Sequence, residues 1–266
     1  MLIDLDDIRM NVIDEGEGQV LLFLHGLGAC HRIWEAQLDA FRDDFRCVAP
    51  DLRNSGRTDV VPGPVSVEQL ADDVARLCER IGVDRAVVVG QSMGGMVAQA
   101  LAVHHPRLVD VLVFVGSGVD GRHGPGPSKE LAPVEDVARR DGIGALPALV
   151  RDGLYPASFQ AAHPERIWHF ERDLMAFDLE GLLALLHRRV ETDYSTELRT
   201  VKVPTLILAG RHDQVLPPEE SQYLQQLMPH AELLVWEECG HQPFVEDPAR
   251  FEALLRAFVA SIPAAA

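Results

Sequence analysis

The sequence predicts an α/β protein: a mostly parallel sheet of about eight strands, covered by helices on both faces and interrupted once by a helical insertion. Short runs rich in Val, Leu and Ile recur from near residue 7 onward, a composition that suits strands buried on both faces. Helix-period stretches separate these runs. The alternation stops between about Val119 and Thr200, where no strand run appears.

Strands are expected at about 7–13, 19–25, 45–49, 86–90, 109–116, 204–210 and 231–236. Helices are expected at 31–42, 66–81, 92–105, 217–228 and 247–260, with Ser66 and Asp247 as N-caps and Pro218 in a first turn. The stretch after Val119 opens with Gly121-Arg122-His123-Gly124-Pro125-Gly126-Pro127 and continues through helical patterns such as Asp178 to Glu191. A structureless loop of that length is foreign to a compact domain, so residues 119–200 are expected to form a helical cap. Residues 1–118 and 201–266 would then form the core domain.

Bulk properties narrow the function classes. The chain has 266 residues, 47% of them hydrophobic, enough for one domain with an insertion. A formal net charge of −17, with no cluster of Lys and Arg, argues against nucleic acid or an anionic membrane as partner. The four cysteines, Cys30, Cys47, Cys78 and Cys239, are scattered without a CxxC pair or zinc spacing and read as reduced, buried thiols. An acidic N-terminus without an apolar signal core, and no run of roughly 18 apolar residues, lead to the expectation of a cytoplasmic protein.

Gly90-Gln91-Ser92-Met93-Gly94-Gly95 follows the apolar run Arg85 to Val89 and precedes the helix-period stretch Met96 to His104. Strand, sharp turn and helix in that order lift a serine hydroxyl out of the sheet edge, while glycines two residues to either side avoid clashes. The bare pattern also suits a Gly-rich turn whose serine merely caps the helix. Context separates the two readings. His25-Gly26-Leu27-Gly28 ends an early strand, Pro50-Asp51-Leu52-Arg53-Asn54-Ser55-Gly56-Arg57-Thr58 follows the next, and Gly210-Arg211-His212-Asp213 and Cys239-Gly240-His241 come late.

With these five motifs in order, the chain resembles the α/β-hydrolase superfamily over essentially its whole length. The family's second loop usually reads Asp-x-Arg-Gly-x-Gly-x-Ser; here Asn54 replaces the Gly and Thr58 the Ser, and Asn is the residue next most tolerant of a left-handed backbone. The resemblance implies Ser92 as nucleophile, His241 as its base and Asp213 as the acid that orients the imidazole. Asp120, after the strand ending near Gly116, competes for the acid, because some relatives take it from that earlier position. The backbone N–H groups of Leu27 and Met93 are the expected oxyanion donors.

For substrate the expectation is a small, largely apolar carboxylic ester or lactone. Trp34, Trp168 and Phe244 are candidate substrate contacts, within an aromatic and apolar set that also includes Tyr155, Phe159, Phe170, Leu174 and Phe177. Ring-fission carbon–carbon hydrolases of the superfamily usually carry Gly-Pro-Gly at the oxyanion loop and Trp after the histidine. This chain has Leu27-Gly28-Ala29-Cys30 and Gln242-Pro243-Phe244, which ranks that chemistry second, beside cofactor-free haloperoxidation. Serine at the nucleophile position argues against the family's epoxide hydrolases and haloalkane dehalogenases. No cofactor or metal is expected: HExxH is absent, His104 and His105 diverge on one helix, and Gly90 to Gly95 lacks the GxGxxG spacing. A non-catalytic ligand-binding protein on the same fold is the alternative from another class.

Overall fold

The computed structural model describes residues 1–119, 131–188 and 193–262. Its centre is an eight-stranded sheet of β1 (Leu2–Asp4), β2 (Arg9–Glu15), β3 (Val20–Leu24), β4 (Arg46–Pro50), β5 (Ala86–Gln91), β6 (Val109–Val115), β7 (Thr205–Gly210) and β8 (Glu232–Trp236). The order is β1-β2-β4-β3-β5-β6-β7-β8. The first two strands run antiparallel to their neighbours, and every pair from β4/β3 to β7/β8 is parallel. β1 has no apolar run to announce it: Leu2 is exposed and only Ile3 is half-buried.

Period-two geometry divides each central strand between two cores. Leu22, Leu24, Val88, Leu112 and Phe114 face one side. There they meet Val74 of α2 (Val67–Arg80), Val97 of α3 (Met93–His104) and Leu224 of α9 (Pro218–Leu227). Leu21, Phe23, Val87, Val89 and Val113 face the other, against Phe41 of α1 (Glu35–Phe41) and Phe251 and Leu255 of α11 (Pro248–Ser261). The expected caps form: Ser66 Oγ accepts from Gln69 N–H at 3.1 Å and Asp247 Oδ1 from Arg250 N–H at 3.2 Å. The first helical segment starts as a 3₁₀ turn over His31–Trp34 before α1, and a short α10 (Pro243–Glu246) precedes α11.

Between β6 and β7 lie α4 (Leu131–Asp141), α5 (Leu146–Leu154), α6 (Ala157–Ala162), α7 (Pro164–Met175) and α8 (Leu179–Arg188). They share a third apolar cluster built on Leu146, Leu154, Phe159, Phe170, Leu174 and Leu182. Asp120 and the Gly121 to Pro127 stretch lie outside the described residues.

Candidate active site

Every motif singled out in the sequence follows the C-terminal end of a strand, the edge at which open α/β sheets bind ligands. Ser92 follows β5 with φ 52° and ψ −118°, a left-handed backbone that costs a non-glycine residue roughly 1–3 kcal/mol. The turn has no room for side chains beside it. A Cβ on Gly90 would overlap the carbonyl of Gly94, and one on Gly94 would overlap the carbonyl of Leu24 in β3. Ser92 stands at the N-cap of α3, yet its hydroxyl makes no capping hydrogen bond, unlike Ser66 on α2. The serine's backbone is fixed instead by Ser92 N–H to Val115 O at 3.0 Å and by Ser117 Oγ–H to Ser92 O at 3.1 Å.

His241 and Asp213 come from the loops after β8 and β7. His241 Nδ1 lies 2.7 Å from Asp213 Oδ2, with both side chains almost fully buried. Asp213 Oδ1 is occupied by the N–H groups of Val215 and Leu216 at 2.9 and 2.8 Å, leaving Oδ2 for the imidazole. Facing a carboxylate, Nδ1 carries the proton and Nε2 keeps its lone pair. Close packing under the pair needs a glycine. Gly116, at φ 50° after β6, would place a Cβ 3.2 Å from His241 Nδ1 and 3.4 Å from Asp213 Oδ2.

The loop after β3 is held by a histidine of a different kind. His25 is completely buried; Leu52 N–H donates to its Nε2 at 3.0 Å, so its Nδ1–H donates to Gly26 O at 2.8 Å. Burial pushes its pKa below the usual imidazole range and keeps the ring neutral. The carbonyl and N–H of one trans peptide point oppositely, so anchoring Gly26 C=O toward His25 turns the N–H of Leu27 away from it. Among the described residues no backbone carbonyl accepts from the N–H of Leu27 or of Met93.

Ser92, His241 and Leu27 line one cavity of about 490 Å³. Its walls are apolar and come largely from the helices between β6 and β7: Leu146 and Val150 of α5, Phe170 and Leu174 of α7, and Leu182 and Leu186 of α8. Gln91, which the sequence left without a role, also lines it and is 1% exposed. The three residues proposed from sequence as substrate contacts do not. Trp34 and Phe244 stack at 4.1 Å in the core beneath the sheet, both fully buried, and Trp168 stands 52% exposed on the outer face of α7 under the guanidinium of Arg172. Aromatic composition marks apolar surface but carries no direction. The helical phase of α7 identifies Phe170 and Leu174, four apart, as one face, with Trp168 off it.

One further cluster has ligand-like chemistry. Cys30 Sγ, His31 Nδ1 and an Asp51 oxygen lie within 4.8 Å of one another. Their lone pairs are already engaged: Asp51 accepts from His31 N–H and Nδ1 at 2.7 Å each, and from Asn11 Nδ2 and Arg57 N–H at 2.9 Å each. Burial, with Asp51 and Asp173 nearby, pushes the Cys30 thiol up to about 12, and it donates to Asp173 Oδ2. The cluster is a hydrogen-bonded brace for the second loop, where Asn54 takes the left-handed φ of 63° expected of it.

A family model for the alpha/beta hydrolase fold matches residues 19–248, and the chain belongs to that family. RutD of Pseudomonas syringae pv. syringae, named provisionally as a carbamate hydrolase, is 28% identical over 96% of this chain and 99% of its own length. A thermophilic esterase from Thermogutta terrifontis superposes with a TM-score of 0.88 at 30% identity, covering 95% of this chain and 93% of that one. Est816, described as an N-acyl homoserine lactone degrading enzyme, superposes with a TM-score of 0.87 at 28% identity, over 97% of this chain and 100% of that one. The chain is thus a hydrolase-family protein with esterase-like and lactonase-like neighbours. No helix of the described residues is long and apolar enough to cross a membrane.

Proposed function

We propose that the protein is a serine hydrolase that cleaves a small, largely apolar carboxylic ester or lactone through an acyl-enzyme on Ser92. The observation that carries this reading is a strained, uncapped serine facing the same apolar cavity as a histidine already paired with a buried aspartate. Nε2 of His241 removes the hydroxyl proton as Ser92 Oγ attacks the carbonyl carbon. Asp213 holds the tautomer and stabilises the imidazolium that forms. The N–H groups of Leu27 and Met93 receive the oxyanion, the latter with help from the positive end of α3. His241 then gives its proton to the leaving oxygen, and water activated by the same imidazole releases the acid.

The names of the esterase and lactone-degrading neighbours support the bond type. The carbamate name of the P. syringae relative favours a second reading with the same site, since a carbamate carbonyl accepts the same attack. Side-by-side assay of short-chain p-nitrophenyl esters, lactones, a carbamate and a dienoate ring-fission product ranks the classes. Incubation with a fluorophosphonate should add the probe's mass to the peptide carrying Ser92. Absence of labelling in the folded protein would turn the reading toward a binding protein.

A further inference from the structure

We propose that Glu246 is a positioning residue that holds the His241 loop in its working conformation. The proposal rests on the assignment of His241 as base. Three consecutive N–H groups around that residue have fixed acceptors. Glu246 takes the N–H of Gly240 on both oxygens, at 3.0 and 2.9 Å, and the N–H of Gln242 on Oε1 at 3.2 Å. The middle N–H, of His241 itself, donates to Leu154 O at 2.7 Å. The main chain on each side of the imidazole therefore hangs from one carboxylate.

A carboxylate suits this task because its four lone-pair sites can receive several convergent N–H groups as charge-assisted bonds. It is an expensive choice. Glu246 is 9% exposed and sits near a second buried carboxyl group, Asp213, so the fold gathers two carboxyl groups around one imidazole. The titratable groups facing it are Asp213 from the loop after β7, Tyr155 after α5 and Cys239 from its own loop. Arg166 of α7 adds its Nη1, 3.2 Å from the carbonyl oxygens of both Val245 and Glu246. Burial foremost, and Asp213 after it, push the Glu246 carboxyl up to about 7 against the pull of its backbone donors. Protonation replaces an acceptor lone pair by an O–H, so the clamp loosens in the pH range where imidazoles also gain their proton.

The experiment compares the full-length parent with E246A, E246Q and H241A on p-nitrophenyl butyrate across pH. E246A should lower kcat on the order of 100-fold through misplacement of the base, with KM nearly unchanged. E246Q, like the protonated carboxyl, has one acceptor oxygen and one donor, so it should lose part of kcat at alkaline pH, on the order of 10-fold, and lack the component of the parent's acid limb that follows Glu246. Parental kcat in E246A, or an acid limb in E246Q identical to the parent's, overturns the proposal. Should E246A fail to fold, the near-isosteric E246Q decides by its acid limb alone. H241A separates the two readings: an active H241A overturns the base assignment, whereas an inactive H241A beside an unaffected E246A overturns only the role of Glu246.

Discussion

The floor and the roof of the cavity are built on different principles. The floor is main chain: the left-handed Ser92, glycines at 90, 94 and 116 that admit no Cβ, and a Gly26 carbonyl tied to His25. The roof is side chain: Leu146, Val150, Phe170, Leu174, Leu182 and Leu186, presented by helices. Under the proposed function, chemistry is tied to geometry that few residues can supply, and selection of substrate to volume that many residues could supply. Changes in the floor should abolish turnover or folding. Changes in the roof should re-rank substrates.

The largest expected effect is at the floor. Ser92→Ala should reduce turnover of p-nitrophenyl butyrate by on the order of 10⁴-fold or more, read as steady-state kcat. Asp213→Asn should approach the same loss, while Asp120→Asn keeps parental activity; the opposite outcome transfers the acid to Asp120. Gly94→Ala drives a methyl into the Leu24 carbonyl and should destabilise by about 3 kcal/mol or fail to fold, measured by urea denaturation. At the roof, Phe170→Ala should shift kcat/KM between butyrate and octanoate esters by roughly 10-fold in favour of the longer chain. An unchanged ratio would break the division proposed here. Smallest of all, Trp168→Ala should leave kcat/KM within about 2-fold, as expected of an exposed ring away from the cavity.

Stability gives an independent view of the floor. Glu246 binds its proton near pH 7 in the fold, against an ordinary value of 4.5. The proton therefore favours the folded state: that contribution is complete below pH 4.5 and is lost as pH rises through about 7. Relative to the parent, E246Q should gain on the order of 3 kcal/mol at most between about pH 5 and about pH 8, followed by thermal unfolding.

The same division decides what the sequence could disclose. Residues that meet a backbone demand announce themselves because the demand leaves a residue type behind: Gly90 and Gly94 around the turn, Asn54 at positive φ, Ser66 and Asp247 at helix starts. Roof residues leave only apolar character, which a buried core leaves as well. Trp34 and Phe244 therefore read as pocket walls and proved to be a stacked pair beneath the sheet. β1 escaped for the reverse reason, since an edge strand with exposed side chains has no apolar run. Glu246 escaped because a carboxylate one short helix away from a histidine says nothing of its own until the loop closes around it.

The carbonyl at the end of α5 has a consequence for any attempt to exchange the helical segment with a relative's. Leu154 O accepts from His241 N–H, Gly153 O accepts from Gln214 N–H at 3.1 Å, and Gly240 is packed too closely against Leu154 O to carry a Cβ. The last turn of α5 therefore travels with the histidine loop, although in sequence it belongs to the part that would be swapped. A chimera that transplants the whole segment imports a foreign seam at the imidazole; one that keeps residues 153–155 native and exchanges the helices on either side leaves the join intact.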